Sequence, residues 1–190
     1  MSTFRRRFMK AALALPAGML VSRQSLAQAP SSLALTPECR GKAEPTQRQT
    51  EGPFYSPRTP RKDSLVEPGA AGERITVIGL VQAPDCRPLP QAMLDIWHAD
   101  ENGEYDNAGF RYWGHLFCDA QGRFRFETVL PGLYPGRTRH IHVKVQPPGR
   151  QLLTTQLYFA GDPGNARDRI YRPELQMKRA GAALRFDFVV

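Results

Sequence analysis

The 190-residue sequence lacks several features that would settle its class at once. It has only three cysteines, Cys39, Cys86 and Cys118, with no CxxC pair and no zinc-ribbon spacing, so a metal-stapled ribbon or a cysteine-dense secreted scaffold is excluded. In an oxidising compartment such a trio predicts one disulfide and one thiol left over, with the pairing open. No apolar run approaches the ~20 residues that a transmembrane helix needs. There is no internal repeat, no nucleic-acid-binding motif and no long amphipathic helical pattern, and the 16 glycines and 17 prolines follow no collagen period. With 41% hydrophobic residues the chain is too apolar to be disordered, and its length suits one compact domain.

Acidic residues are absent from the first 29 positions, which carry Arg5, Arg6, Arg7, Lys10 and Arg23. A basic stretch, an apolar run of about 11 residues over 11–21 and then Ala27, Gln28 and Ala29 have the three parts of a secretory leader, cleaved after Ala29. The arginines followed by Phe8 and Lys10 resemble the bacterial twin-arginine export signal, with Phe4 where Ser or Thr is usual. That route carries folded proteins, which suits a chain that takes up a metal before meeting the metal mixture outside. A periplasmic or secreted location is expected, with no membrane anchor after cleavage. The leader also explains the formal net charge of +8: it holds five of the 26 Lys and Arg, leaving 21 against 18 Asp and Glu. The remaining balance makes no case for a nucleic-acid partner.

Three segments follow: a leader over 1–29, an irregular arm over 30–73 rich in Pro, Ser, Thr and charge, and a domain over 74–190. Within the last, runs at 74–82, 92–98, 111–118, 123–129, 140–145, 152–159 and 184–189 have strand length, several with period-two alternation. Turn residues divide them at 100–103, 119–122, 147–149 and 161–164. The pattern predicts an all-β fold, an antiparallel β-sandwich with long irregular connections, and one short helix over 165–171. Trp97, Trp113 and Phe124 read as core, His98 as a hydrogen-bonded core or pocket-wall residue, and Arg139 as a surface charge.

The sharpest chemical feature is His140-Ile141-His142. Residues i and i+2 of a strand face the same way, so two imidazoles can meet one ion. Such a pair alone is more often two core-edge histidines. Its neighbours add weight: Tyr134 lies in a Gly- and Pro-rich loop, Arg137 lies three residues before His140, and Tyr105 follows Asn102-Gly103 beyond Trp97.

In order and spacing, TEGPFY (50–55), LDIWHADENGEYD (94–106), LPGLY (130–134), RTRHIH (137–142) and TQLYFAGDP (155–163) resemble the intradiol ring-cleavage dioxygenases, on the protocatechuate 3,4-dioxygenase side of that family. The resemblance covers most of residues 46–165. It implies a non-haem Fe(III) held by Tyr105, Tyr134, His140 and His142, with Tyr134 released when substrate arrives. It also implies Arg137 and Gln156 beside the substrate as catalytic groups, with Gly52 and Pro53 lining the substrate site. The partners implied are a small catecholic compound and O2, and the reaction is ring opening between the two hydroxyls to a cis,cis-muconate-type diacid. Homo-oligomerisation is left open. Phenolate oxygens are hard anionic donors that favour Fe(III), and the metal charge would hold each tyrosine ionised below its usual pKa of ~10. Tyr134 and His140 stand closer in sequence than in the well-known protocatechuate enzymes, so the pocket wall differs. The helical N-terminal region of the catechol 1,2-dioxygenase branch is missing from the pattern. Two rival readings are a metal-free ligand- or protein-binding sandwich and a zinc hydrolase. All four candidate donors are present, which opposes the first, and the second needs a further neutral ligand or carboxylate base near His140.

Overall fold

The computed structural model of the chain describes residues 43–190; the leader, the start of the arm and Cys39 lie outside the described residues. Nine strands follow in order: β1 Arg74–Gln82, β2 Met93–Trp97, β3 Trp113–Phe117, β4 Arg123–Val129, β5 His140–Gln146, β6 Leu153–Phe159, β7 Gln176–Ala180, β8 Ala183–Arg185 and β9 Phe188–Val189. They hydrogen-bond in the order β3-β2-β5-β6-β7-β8-β1-β4, with β9 on β1. Alternation in each strand sends one face inward. Leu94 and Ile96 of β2, Ile141, Val143 and Val145 of β5, Leu157 of β6, Val77 and Val81 of β1 and Phe126 of β4 join one core. Trp97, Trp113 and Phe124 are buried, as expected of core aromatics.

Four details differ from the sequence reading, the first being β7, which lies outside every strand-length run read from the sequence. The long pairings are antiparallel, but β1 meets β8 and β9, and β6 meets β7, in short parallel pairings of two residues each, so the sheet is mixed. The run at 184–189 is broken in two. The Asp187 carboxylate accepts the Leu80 N–H at 3.0 Å, and a β-carbon at Gly79 would stand 1.8 Å from the Phe186 carbonyl oxygen. The chain therefore steps over β1 at a residue with no side chain. Residues 165–171 form turns rather than a helix, because Asp168 turns its carboxylate back on the Ile170 N–H at 3.0 Å, a local bond that competes with helix formation. The one helical piece among the described residues is a 3-10 turn at Pro173–Leu175.

Residues 43–73 contain no named strand, yet they close both sheet edges. Arg61 bridges to His115 of β3 and Ser64 to Glu127 of β4, which shields the unpaired backbone of the terminal strands. Gln49 N–H donates to the Thr154 carbonyl, and Thr155 Oγ1 donates to the Gln47 carbonyl. Residues 47–49 thus run along the open edge of β6. Cys86 is disulfide-bonded, and Cys118 is the free, buried thiol.

Candidate metal centre

Register places the candidate side chains. With Ile141, Val143 and Val145 committed to the core, His140, His142 and Lys144 take the outer face of β5. Across the sheet His142 pairs with Trp97 on one side and Gln156 on the other, while His140 pairs with Tyr158. The two histidines are brought together: their Nε2 atoms are 3.2 Å apart. His140 Nδ1 lies 2.7 Å from the Thr138 carbonyl oxygen, so the proton sits on Nδ1 and Nε2 presents its lone pair. The Trp97 ring stacks on His142 at 4.8 Å and 8°, fixing the imidazole plane.

Tyr105 reaches the same point from the turn after β2. The Asp100 carboxylate accepts the N–H groups of Asn102 and Glu104, each at 2.9 Å, and its backbone carbonyl accepts the Gly132 N–H at 2.7 Å. This last bond ties the Tyr105 turn to the Tyr134 loop. The two backbones pack so closely that a β-carbon on Gly132 would stand 2.3 Å from Gly103 N, and one on Gly103 would stand 2.3 Å from the Leu133 carbonyl oxygen. As a result the Tyr105 hydroxyl lies 3.2 Å from His140 Nε2, and the Tyr134 ring stands edge-on to Tyr105 at 5.7 Å between centroids.

Arg137 is held on the near side. Its Nε donates to Asp168 at 2.8 Å and its Nη2 to Gln156 Oε1 at 2.7 Å. The Gln156 amide nitrogen donates to the Thr50 carbonyl at 2.8 Å, so that amide is fixed at both ends. Gly52, with φ of +74°, brings the arm against His142: a β-carbon there would meet the imidazole Cε1 at 3.2 Å. Pro53 is exposed beside it. Arg139, expected as a surface charge, instead donates to the buried Asp162 carboxylate at 2.8 Å and to the Pro131 carbonyl at 3.0 Å, bracing the Tyr134 loop. His98 is a core residue held by the Ala99 carbonyl and Thr128 Oγ1, both at 2.6 Å. Sequence reasoning missed Asp100, Thr138 and Asp168, and it read the glycines of the two loops as turn formers rather than as points of close approach.

Burial pushes the Tyr105 phenol above its usual range, with Arg137 opposing, so without a metal it is neutral. Burial lowers His140 to about 4, helped by Arg137 and opposed by the Thr138 bond, and it lowers His98 to about 4, opposed by the Ala99 bond. Burial also holds His142 well below the ordinary value, helped by His140 and Arg137; the Thr50 backbone is close enough to oppose this weakly, although Nδ1 makes no full hydrogen bond. A stability prediction follows for the metal-free protein. Unfolded imidazoles take a proton near pH ~6.5, but folded His98 and His140 refuse it until about 4. Stability is then complete above that range and falls as pH drops through it, by ~1.4 kcal/mol per pH unit for each histidine. Urea unfolding near pH ~7.5 and pH ~5 checks this, and equal stabilities would contradict it.

The donor set fits a metal ion. Two ligands bound at ~2.1 Å to one ion stand about 3 Å apart, close to the Nε2 separation of 3.2 Å. Two imidazole lone pairs facing each other also repel unless a proton or cation lies between them. Among the described residues no three His, Cys, Asp or Glu gather, and the oxygen donor that stands beside the pair is the Tyr105 hydroxyl, 3.2 Å from His140 Nε2. Such hard donors suit a highly charged cation better than a soft one.

A family profile described as "Dioxygenase" matches residues 50–189, which is the arm from Thr50 and every strand. The chain belongs to the intradiol ring-cleavage dioxygenase family. Hydroxyquinol 1,2-dioxygenase of Nocardioides simplex is 30% identical over 164 residues, 74% of this chain and 55% of its own length. The protocatechuate 3,4-dioxygenase beta chain of Burkholderia cepacia is 33% identical, over 60% of this chain and 57% of its own. These identities do not separate one branch of the intradiol family from another, and the chain spans about half the length of the curated relatives it matches. Among solved structures, the dioxygenase domain of a dioxygenase carbohydrate-binding protein fusion from the cellulolytic bacterium Streptomyces sp. SirexAA-E is 49% identical. It superposes with a TM-score of 0.73, covering 77% of this chain and 98% of that one.

Proposed function

We propose that this protein is an exported intradiol dioxygenase that holds a non-haem Fe(III) with Tyr105, Tyr134, His140 and His142 and opens the ring of a small catecholic compound between its hydroxyls with O2. The observation that carries this reading is the meeting of three donors, with both Nε2 atoms and the Tyr105 hydroxyl each 3.2 Å from a neighbour, beside a guanidinium. Bound Fe(III) would supply the Lewis acidity that ionises phenols and lets a catecholate react with O2. The protein's residues do the rest. Tyr134, whose ring stands edge-on to Tyr105, would be the ligand that substrate displaces, and its oxygen would then carry one substrate proton. Arg137 keeps Nη1 for the substrate while Asp168 and Gln156 fix the other nitrogens, so a cation is in place where negative charge builds on the ring. Gly52 and Pro53 stand where one wall of the substrate site would be.

Export is supported by the leader pattern and by the disulfide at Cys86, a bond that persists outside the reducing cytosol. A similar domain in a cellulolytic bacterium, fused to a carbohydrate-binding protein, supports a plant-derived catechol as substrate. The test is the visible spectrum of protein loaded with Fe(III), read beside O2 uptake on a panel of catechols. A tyrosinate charge-transfer band that bleaches on reduction is expected, with turnover. A colourless protein holding stoichiometric zinc would overturn the reading.

A further inference from the structure

Residues 51–55 cross the outer face of β2 and β5 anchored at both ends. At one end the Glu51 carboxylate pairs with Lys144 Nζ, a buried ammonium that also donates to Thr154 Oγ1 at 3.2 Å. At the other, the Tyr55 hydroxyl donates to Asp95 Oδ2 at 2.9 Å while its ring packs on Trp97 at 4.7 Å. The anchors are joined, because Lys144 Nζ lies 4.5 Å from the centre of the Tyr55 ring, and Thr59 Oγ1 holds the second Asp95 oxygen at 2.8 Å. Between them Gly52 lies against His142, and the Phe54 ring stacks on Tyr105 at 4.5 Å and 21° and meets Tyr134 edge-on at 5.5 Å.

We propose that Phe54 is a positioning residue for both tyrosines, held in register by a strap whose two anchors are Glu51–Lys144 and Tyr55–Asp95. The proposal rests on the reading that Tyr105 and Tyr134 serve a metal. A ring stacked on one phenol and edge-on to the other limits the swing of both, and both geometries are preferred ones for aromatic pairs. The strap accounts for four of the five residues from Glu51 to Tyr55: charged and phenolic ends anchor it, glycine clears the imidazole, and phenylalanine packs on both tyrosine rings. Phe54 touches no reacting atom and acts through the tyrosines.

The experiment compares Fe(III)-loaded wild type, Phe54→Leu and Tyr55→Phe by iron per chain, visible absorption, kcat and KM. Phe54→Leu is expected to keep its iron, shift the tyrosinate band and lose kcat about tenfold with KM little changed, since small displacements of reacting groups cost rate. Tyr55→Phe keeps ring and volume and loses only the Asp95 bond; it is expected to move band and kcat the same way by less. It still decides the matter if Phe54→Leu does not fold. Coloured, active wild type with both variants matching it in band and kcat would overturn the strap and leave the metal reading standing. A wild type that takes up no iron would overturn both.

Discussion

Replacing His142 by alanine is expected to yield a folded protein that retains no iron and shows no visible band. Its oxygen uptake with catechols should fall by at least about a thousandfold, the rate equivalent of losing roughly 4 kcal/mol of metal-supplied stabilisation. His142 Nε2 is one of the two imidazole donors 3.2 Å apart, and its ring packs between Trp97 and the backbone of Gly52, so alanine there leaves His140 without its imidazole partner. His98 is the matched control. It is as deeply buried, but both of its nitrogens are committed to Ala99 and Thr128. His98→Gln should therefore cost stability and leave iron content per folded chain unchanged. Metal analysis with O2 uptake on the two variants separates the roles, and equal iron loss in both would refute the assignment of His142.

Arg137→Met has the second large effect, and it should divide between catalysis and stability. Removing a preorganised cation from the place where charge develops lowers kcat by roughly 10²–10³, and iron content should be kept. The fold also loses up to ~3 kcal/mol near neutral pH, because the buried Asp168 carboxylate keeps only the N–H groups of Thr138 and Ile170. Burial alone would raise the pKa of Asp168, but the bond from Arg137 and those two N–H groups outweigh it and hold the carboxyl below its ordinary range. Its contribution is therefore present above the ordinary carboxylate pKa of ~3.9 and is lost as pH falls through the lower folded value. The stability gap between wild type and variant should close in acid. Urea unfolding near pH ~7 and pH ~3, with kcat and KM at neutral pH, tests both halves. A variant that loses stability but keeps its full kcat would confine Arg137 to a structural role. Arg137→Lys is expected to restore charge but not the paired bonds to Asp168 and Gln156, and so to recover only part of either loss.

Both predictions depend on residues whose roles differ in how far the sequence discloses them. Period-two alternation and turn chemistry are local properties, and they made most of the strands visible, together with the shared face of His140 and His142 and the burial of Trp97 and Trp113. They failed where a distant partner decides. The Asp187 carboxylate breaks a run that reads as one strand, and Asp168 dissolves a helical pattern by engaging its own backbone and Arg137, 31 positions away. Neither partner is written in the local pattern.

For the candidate site the division is similar. The sequence by itself determined an all-β chain of one family, a basic first 29 residues that carry five of the eight net positive charges, and the residue types from which a metal centre can be built. Only the tertiary structure decided how those residues meet. Strand register sets Trp97, His142 and Gln156 in one row, the backbone contact of Gly103 with Gly132 brings the two tyrosine loops together, and the arm delivers Gly52 and Phe54. The physical reason is range: side-chain alternation follows from the backbone geometry of one strand, whereas register, loop docking and the path of the arm follow from packing between segments tens of residues apart.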